Sequence, residues 1–433
     1  MILSDKIRNH SARVAVIGQG YVGLPLAIEF AKVGFRVTGI DLDEGKVASL
    51  NRGESYIPDV ESRTVRHLMD DGLYRATTDM SILAESDAIV ICVPTPLRKS
   101  KDPDISFVMA SANEAKKHLH PGVLIILEST TYPGTTKEVL LPMFEDSGLK
   151  VGRDFFLAFS PERIDPGNAQ FKVKDIPKVV GGITSECSWM AALLYGQVVS
   201  RVLEVSSPTV AELAKLYENT FRSVNIALAN EFALMCRHLG TNVWEVIDAA
   251  ATKPFGFMPF SPGPGIGGHC IPIDPIYLSW KLRLSGYEAR FIALADDINR
   301  GMPRYVIELL TDGLNNREKC LKGADILVLG VAYKRGVGDV RESPAIDVIN
   351  ELQRKGAKVR YADPFVPSLA HEGLDVKRVD LTAEVLRECD AAVILTDHKE
   401  FDYHMIVQQA DLIVDTRNAT GGMTVPENKV IRL

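Results

Sequence analysis

Cysteine is scarce and scattered in this 433-residue chain. Its six residues, Cys92, Cys187, Cys236, Cys270, Cys320 and Cys389, form no CxxC pair and show no cysteine–histidine spacing of a zinc site. That excludes a disulfide scaffold and leaves no metal site to expect. They read as reduced thiols of a cytoplasmic protein. Long apolar runs are missing too: no stretch reaches the roughly 18 residues needed to cross a bilayer. The polar opening from Met1 to Ala12 lacks the charged-then-apolar layout of a secretory leader, so no membrane association is expected. Nor is there a basic excess. With 49 Lys and Arg against 56 Asp and Glu the net charge is −7, which argues against a nucleic-acid partner. Short-period repeats and low-complexity tracts are absent. What remains, 46% hydrophobic and 24% charged, is the composition of a globular enzyme too long for one core.

Short β-rich runs alternate with helical patterns in the first part: Val14 to Ile17, Arg36 to Ile40, Ala88 to Val93, Val123 to Leu127 and Phe155 to Phe159. This alternation predicts a parallel sheet. From Ser207 to Leu239 the pattern becomes one unbroken helix, with Ser207 as N-cap and Pro208 in the first turn. At 1.5 Å per residue it spans about 45 Å, long enough for a spine. After about residue 320 the βα alternation resumes in ADILVLGVAY, AKVRYADP, CDAAVILTD and ADLIVDTR. The expected fold class is α/β: two Rossmann-like, doubly wound domains, residues 1–200 and 311–433, joined by a central helical domain, 201–310.

Gly18-Gln19-Gly20-Tyr21-Val22-Gly23 follows the strand RVAVI and opens a helical run. A lone GxGxxG is weak, but this one stands in the strand–turn–helix context that a dinucleotide requires. Its glycines would make the turn, admit the pyrophosphate and pack helix on strand, with phosphate at the helix N-terminus. Asp41 ends the next strand, 18 residues after Gly23. An acid there accepts the adenosine ribose hydroxyls, which favours NAD over NADP. Two further strand ends, Val93-Pro94-Thr95-Pro96 and Glu128-Ser129-Thr130-Thr131, should line the same crevice. Threonines at strand ends are equally at home in ordinary turns.

The most informative stretch is Pro262-Gly263-Pro264-Gly265-Ile266-Gly267-Gly268-His269-Cys270-Ile271-Pro272-Ile273-Asp274-Pro275. Four glycines in six positions would bare the backbone and let a bulky ligand approach a cysteine at the loop's end. Taken alone, Cys270 is equally a small core residue. Asp274 before Pro275 reads as the cap of the helix IYLSWKLRL. Lys215 and Asn219, four apart on the long helix, share one face, yet nothing in that spacing separates a site from a solvated pair.

Taken together, GQGYVGLPLA, CVPTP, ESTTYPGT, SPERIDPG, AELAKLYENTFRSVNIALANE, GPGIGGHCIPIDP, YKRGVGDVRESPA and DTRN resemble the UDP-glucose/GDP-mannose dehydrogenase family over nearly the whole chain. The N-acetylglucosamine 6-dehydrogenase branch is the most similar. The resemblance implies two oxidations of C6 of a nucleotide sugar with two NAD, a cysteine carrying first a thiohemiacetal and then a thioester. It makes Cys270 the nucleophile, and Lys215 and Asn219 the partners of the developing alkoxide. Asp274 activates water or orients the lysine, Glu162 is the general base of thioester hydrolysis, and Thr130 positions that water. Cofactor contacts would come from Gly18, Gly20, Tyr21, Val22, Gly23, Asp41, Thr95, Thr130 and Arg341. Substrate contacts would come from Glu162, Arg163, Lys215, Asn219, Lys253, Gly267, His269, Lys334 and Arg417. The family uses no metal.

Ile273 stands where the UDP-glucose branch carries lysine, and His269 replaces a small residue, so the resemblance points to an N-acetylated UDP-sugar. UDP-N-acetylmannosamine, UDP-N-acetylgalactosamine and UDP-glucose remain competitors. The segment TKPFGFMPF, with Lys253, would add sugar contacts across the interface of a homodimer or higher homo-oligomer. Two other readings stay open: a single-step hydroxyacid dehydrogenase, which gives Cys270 no task, and a silent nucleotide-binding scaffold.

Overall fold

The structure is a computed structural model that describes residues 2–98, 102–163, 173–268 and 270–433. The chain divides into two compact units, Met1–Glu218 with Ile276–Gly286, and Asn219–Pro275 with Tyr287–Leu433.

The first unit is built on eight strands: β1 (Arg13–Ile17), β2 (Arg36–Ile40), β3 (Tyr74–Thr77), β4 (Ala88–Ile91), β5 (Leu124–Leu127), β6 (Phe156–Phe159), β7 (Lys178–Gly182) and β8 (Val202–Val205). Their order is β3-β2-β1-β4-β5-β6-β7-β8. Every neighbouring pair is parallel except β6 and β7. Buried at all four positions, β4 (AIVI) and β5 (LIIL) are continuous apolar runs, because helices cover both faces of a doubly wound sheet. The two apolar clusters that pack on the sheet gather around Phe30 and Phe35 in one case and Phe144 and Phe155 in the other. Between β2 and β4 the strand order reverses around β1, which opens a crevice at the carboxyl ends.

The second unit carries a six-stranded parallel sheet ordered β11-β10-β9-β12-β13-β14. Its strands are β9 (Asp325–Leu329), β10 (Lys358–Ala362), β11 (Lys377–Arg378), β12 (Ala391–Ile394), β13 (Ile413–Asp415) and β14 (Val430–Arg432). The helix Arg290–Asn315 buries Met302, Val306, Leu309 and Leu310 in the same cluster as Val328 and Val393.

The long helix runs from Pro208 to His238, 31 residues. Its first turn is capped as expected, with the Val210 amide donating to the Ser207 hydroxyl at 3.3 Å, and Arg237 and His238 in the last turn suit the dipole's negative end. A stripe of large apolar residues, Leu213, Tyr217, Phe221, Leu228 and Met235, stays exposed along it. Among the described residues no helix is long and apolar enough to cross a membrane.

Candidate active site

At the end of β1 the backbone turns at Gly18, φ +91°, and a Cβ there would lie 2.6 Å from the Cys92 carbonyl oxygen. A Cβ on Gly23 would lie 1.8 Å from the Gly18 carbonyl oxygen, so the helix Gly23–Lys32 can start against the turn only with glycine. On Gly20 a Cβ would meet nothing within 4 Å. That open side, beside a helix N-terminus, fits a pyrophosphate. The turn is held by Gln19, whose amide donates to Val16 O at 2.8 Å and accepts from Tyr74 Oη at 2.9 Å. Asp41 Oδ2 accepts from Gln19 N at 2.9 Å, and Lys46 Nζ stands 3.5 Å from the same oxygen. The half-buried Asp41 carboxylate therefore sits at the crevice where a ribose acceptor belongs, and Tyr21 and Val22 are half-buried beside it. These residues fit NAD. Thr95 presents its carbonyl to Tyr277 Oη at 2.9 Å.

Two strand ends farther along, Lys215 reaches down from the long helix and donates to Thr130 Oγ1. Both were expected in the site, and the first unit brings them together. Lys215 is 6% exposed, so its ammonium has little water to compete with. Glu162, after β6, is buried, with its carboxylate 3.7 Å from Lys178 Nζ. Arg163 is committed to protein partners: its guanidinium forks onto Glu218 at 2.7 and 3.2 Å and donates to Pro177 O at 2.8 Å.

In the second unit Cys270 is half-buried, and its carbonyl accepts from Ile273 N and Asp274 N at 3.1 and 2.8 Å. The turn so formed leads straight into the helix Asp274–Arg283, which begins at Asp274 itself. The buried Asp274 carboxylate accepts from Asn219 Nδ2 at 2.6 Å. The glycines upstream behave differently from the expectation that they bare backbone to a ligand. A Cβ on Gly263 would strike the Arg417 guanidinium at 2.6 Å, and Cβ atoms on Gly267 and Gly268 would meet Tyr333 at 2.7 and 3.0 Å. The loop needs glycine because protein packs against it. Gly268 N also donates to Arg341 O at 3.2 Å, and Gly263 N to Asn230 Oδ1 at 2.8 Å. His269 lies outside the described residues.

Lys334 is half-buried in the loop after β9, whereas Arg341 is exposed and forks onto Asp339. Arg417 donates from Nε to Leu395 O at 2.9 Å. Burial lowers its pKa, with Asp397 and Asp415 opposing. Lys253 belongs to an exposed segment and lies over the Phe255 ring, 4.9 Å from its centroid.

Sequence reasoning placed Glu128 at a strand end lining the crevice without giving it a role, and missed Lys178 and Tyr195 beside it. Glu128, fully buried, accepts from Lys178 Nζ on one carboxylate oxygen and from Tyr195 Oη on the other. One signal was available: a carboxylate directly ending the apolar run LIIL, and a lysine opening KVVGG, are each out of place on a buried strand.

The family model for the NAD binding domain of the UDP-glucose/GDP-mannose dehydrogenase family matches residues 12–199, that for its central domain 209–301, and that for its UDP binding domain 327–422. A UDP-N-acetyl-D-mannosamine dehydrogenase of Pyrococcus horikoshii is 37% identical over 392 residues, 90% of each chain. A UDP-N-acetyl-D-glucosamine 6-dehydrogenase of Pseudomonas aeruginosa is 37% identical over 356 residues, 82% of this chain and 83% of the relative. The solved structure of a UDP-D-ManNAc dehydrogenase from Pyrococcus horikoshii matches with a TM-score of 0.89 at 34% identity, covering 97% of this chain and 98% of that one. Equal identity to a mannosamine and a glucosamine enzyme fixes the family and not the sugar. The chain belongs to the UDP-glucose/GDP-mannose dehydrogenase family and is an NAD-dependent nucleotide-sugar dehydrogenase.

Proposed function

We propose that this enzyme oxidises the C6 alcohol of an N-acetylated UDP-hexosamine, UDP-N-acetyl-D-glucosamine first among them, to the uronic acid, for surface polysaccharide such as O-antigen. The reading rests most directly on Cys270, half-buried at the turn whose next residues present Asp274 to Asn219. The turn from Gly18 to Gly23 would hold NAD, which would supply the hydride acceptor for both oxidations of C6. The Cys270 thiolate adds to the C6 aldehyde, forming the C–S bond of a thiohemiacetal, and a thioester remains after the second hydride has left. Lys215 and Asn219 donate to the C6 oxygen while it carries negative charge, an effect worth about 3 kcal/mol per donor. Asp274 keeps the Asn219 amide oriented. Glu162 takes a proton from the water that Thr130 positions; the hydroxyl adds to the thioester carbon, the C–S bond breaks, and the carboxylic acid and thiolate separate, the acid then losing its proton to solvent.

Lys334 and Arg417 are the cations we assign to the UDP phosphates, and Arg341 to the cofactor side. The division into segments 1–200, 201–310 and 311–433 is part of the same proposal, as is a cytoplasmic location. The exposed stripe from Leu213 to Met235, with Phe255, Phe257 and Met258, supports a homodimer or higher homo-oligomer, because apolar patches of this extent are usually covered.

Product analysis with UDP-N-acetyl-D-glucosamine tests the proposal. Two NADH per sugar and no free aldehyde are expected, and one NADH with aldehyde accumulating would overturn the double oxidation. Cys270→Ser should keep NAD binding and lose turnover by about 1,000-fold or more.

A further inference from the structure

Lys178 stands between two carboxylates in the interior of the first unit. Its ammonium donates to Glu128 at the end of β5 and lies 3.7 Å from Glu162 after β6. Tyr195, on the helix Ser185–Tyr195, donates to the other Glu128 oxygen, and the Lys178 ammonium lies 5.1 Å from the centre of its ring. Cys92, after β4, is a further ionisable group that acts on the cluster. Side-chain exposure is 0% for Glu128, 6% for Lys178 and 8% for Glu162.

Two carboxylates and one ammonium buried together carry a net negative charge. Each buried ion costs several kcal/mol of hydration, and apolar residues of similar volume would commonly stabilise a fold as well. Stability therefore gives no reason for the arrangement. Its asymmetry does. Both Glu128 oxygens are saturated by direct donors, so the ammonium is held inward and only leans on Glu162. A close ion pair would make Glu162 a poor proton acceptor, whereas no cation at all would leave two carboxylates repelling each other and one of them protonated.

We propose that Glu128 and Tyr195 tether Lys178 so that its charge is shared unequally with Glu162, and that this sharing sets the basicity of Glu162 in thioester hydrolysis. Glu128 and Lys178 are positioning residues in this account, which rests on Glu162 being the base. Burial pushes the Glu128 carboxyl up to about 7, with Lys178 pulling it down and Glu162 adding to the rise, the behaviour of carboxylates that share one cation.

The test is the pH profile of uronate release from the full chain with NAD and UDP-N-acetyl-D-glucosamine, with the Cys270 thioester followed by intact mass. Glu128→Gln frees Lys178 to pair with Glu162 and should move the acidic limb down by about one pH unit, with a plateau a few-fold lower. Lys178→Met should move that limb up by about one unit or more and let thioester accumulate, while Lys178→Arg should restore it. NAD and sugar KM should change by less than about twofold in each, because neither residue binds them. A merely structural role would not move the limb in opposite directions. Should Lys178→Met fail to fold, Glu128→Gln and Lys178→Arg still decide. Limbs that stay put, or move together, overturn the inference. Glu162→Gln separates the two levels: trapped thioester in that variant alongside unmoved limbs defeats only the role of Lys178 and Glu128. Unimpeded hydrolysis in Glu162→Gln defeats the assignment of the base and this inference with it.

Discussion

The two sheets solve one local problem twice and then diverge. In each, a central strand ends in a left-handed glycine lying against the next strand end: Gly18, φ +91°, on the Cys92 carbonyl, and Gly330, φ +78°, on the Thr396 carbonyl. In each, an aspartate at the end of the adjoining strand accepts backbone amides from the turn, Asp41 from Gln19 and Asp363 from Val331 and Ala332. After Gly18 the helix begins at Gly23, whereas after Gly330 the chain runs through an irregular loop until the helix starts at Pro344. Asp41 stays half-buried at the crevice. Asp363 is sealed: its oxygens also accept from Phe365 N, Val366 N and His398 Nε2 at 2.8, 3.0 and 3.0 Å, and it is 2% exposed. The same strand–turn frame thus leads into two different continuations. In the first unit the frame is followed by a helix N-terminus beside an open acid; in the second it is followed by a loop that the acid holds in place.

The largest effect should come from the helix start. In Gly23→Val the added side chain meets the Gly18 carbonyl at the first carbon, so NAD binding measured by calorimetry should weaken about 100-fold or more, some 2.7 kcal/mol, with UDP-sugar binding kept. If UDP-sugar binding falls equally, the two units do not divide recognition between them. Next is the sealed acid. Asp363→Asn leaves amides in the loop without a charged acceptor and should cost about 2–4 kcal/mol in denaturant unfolding. Burial alone would raise the Asp363 carboxyl, yet the bonds from His398, Val331 and Phe365 hold it below its ordinary value. A depressed carboxylate contributes its stability above the unfolded value and loses it as pH falls through the folded one, so this contribution should fade below about pH 4 and be missing in the variant. Smallest in stability is the open acid: Asp41→Ala should change unfolding by less than about 1 kcal/mol while raising the NAD KM about tenfold. Steady-state kinetics and a melt on one sample would check both.

Legibility in the sequence followed flanking turns more than burial: β7 (KVVGG), buried at all five positions, was not read. The strands β1, β2, β4, β5 and β6 were readable as short β-rich runs that alternate with helical patterns, and so were β9, β10, β12 and β13, although β10 (KVRYA) and β13 (IVD) also carry charge. In contrast β3 (YRAT), β8 (VLEV), β11 (KR) and β14 (VIR) are short and carry charge; their pairing partners, not their own side chains, make them strands. The site divides in the same way. Lys215 and Thr130 were both named, and so were Asn219 and Asp274, since each belongs to a recognisable motif. Contact across 50 positions between Glu128 and Lys178, or across 69 between Asn230 and Asn299, has no local pattern to announce it.

The unequal depth of the six thiols has a practical consequence. Cys92, Cys187, Cys236 and Cys389 are buried; burial pushes the Cys92 thiol well above its ordinary range and the Cys389 thiol up to about 11, so both resist alkylation at neutral pH. Only half-buried Cys270 and exposed Cys320 are open to a reagent. A Cys320→Ser enzyme would thus take one iodoacetamide or one fluorophore per native chain, at Cys270, so that the proposed nucleophile counts the competent molecules.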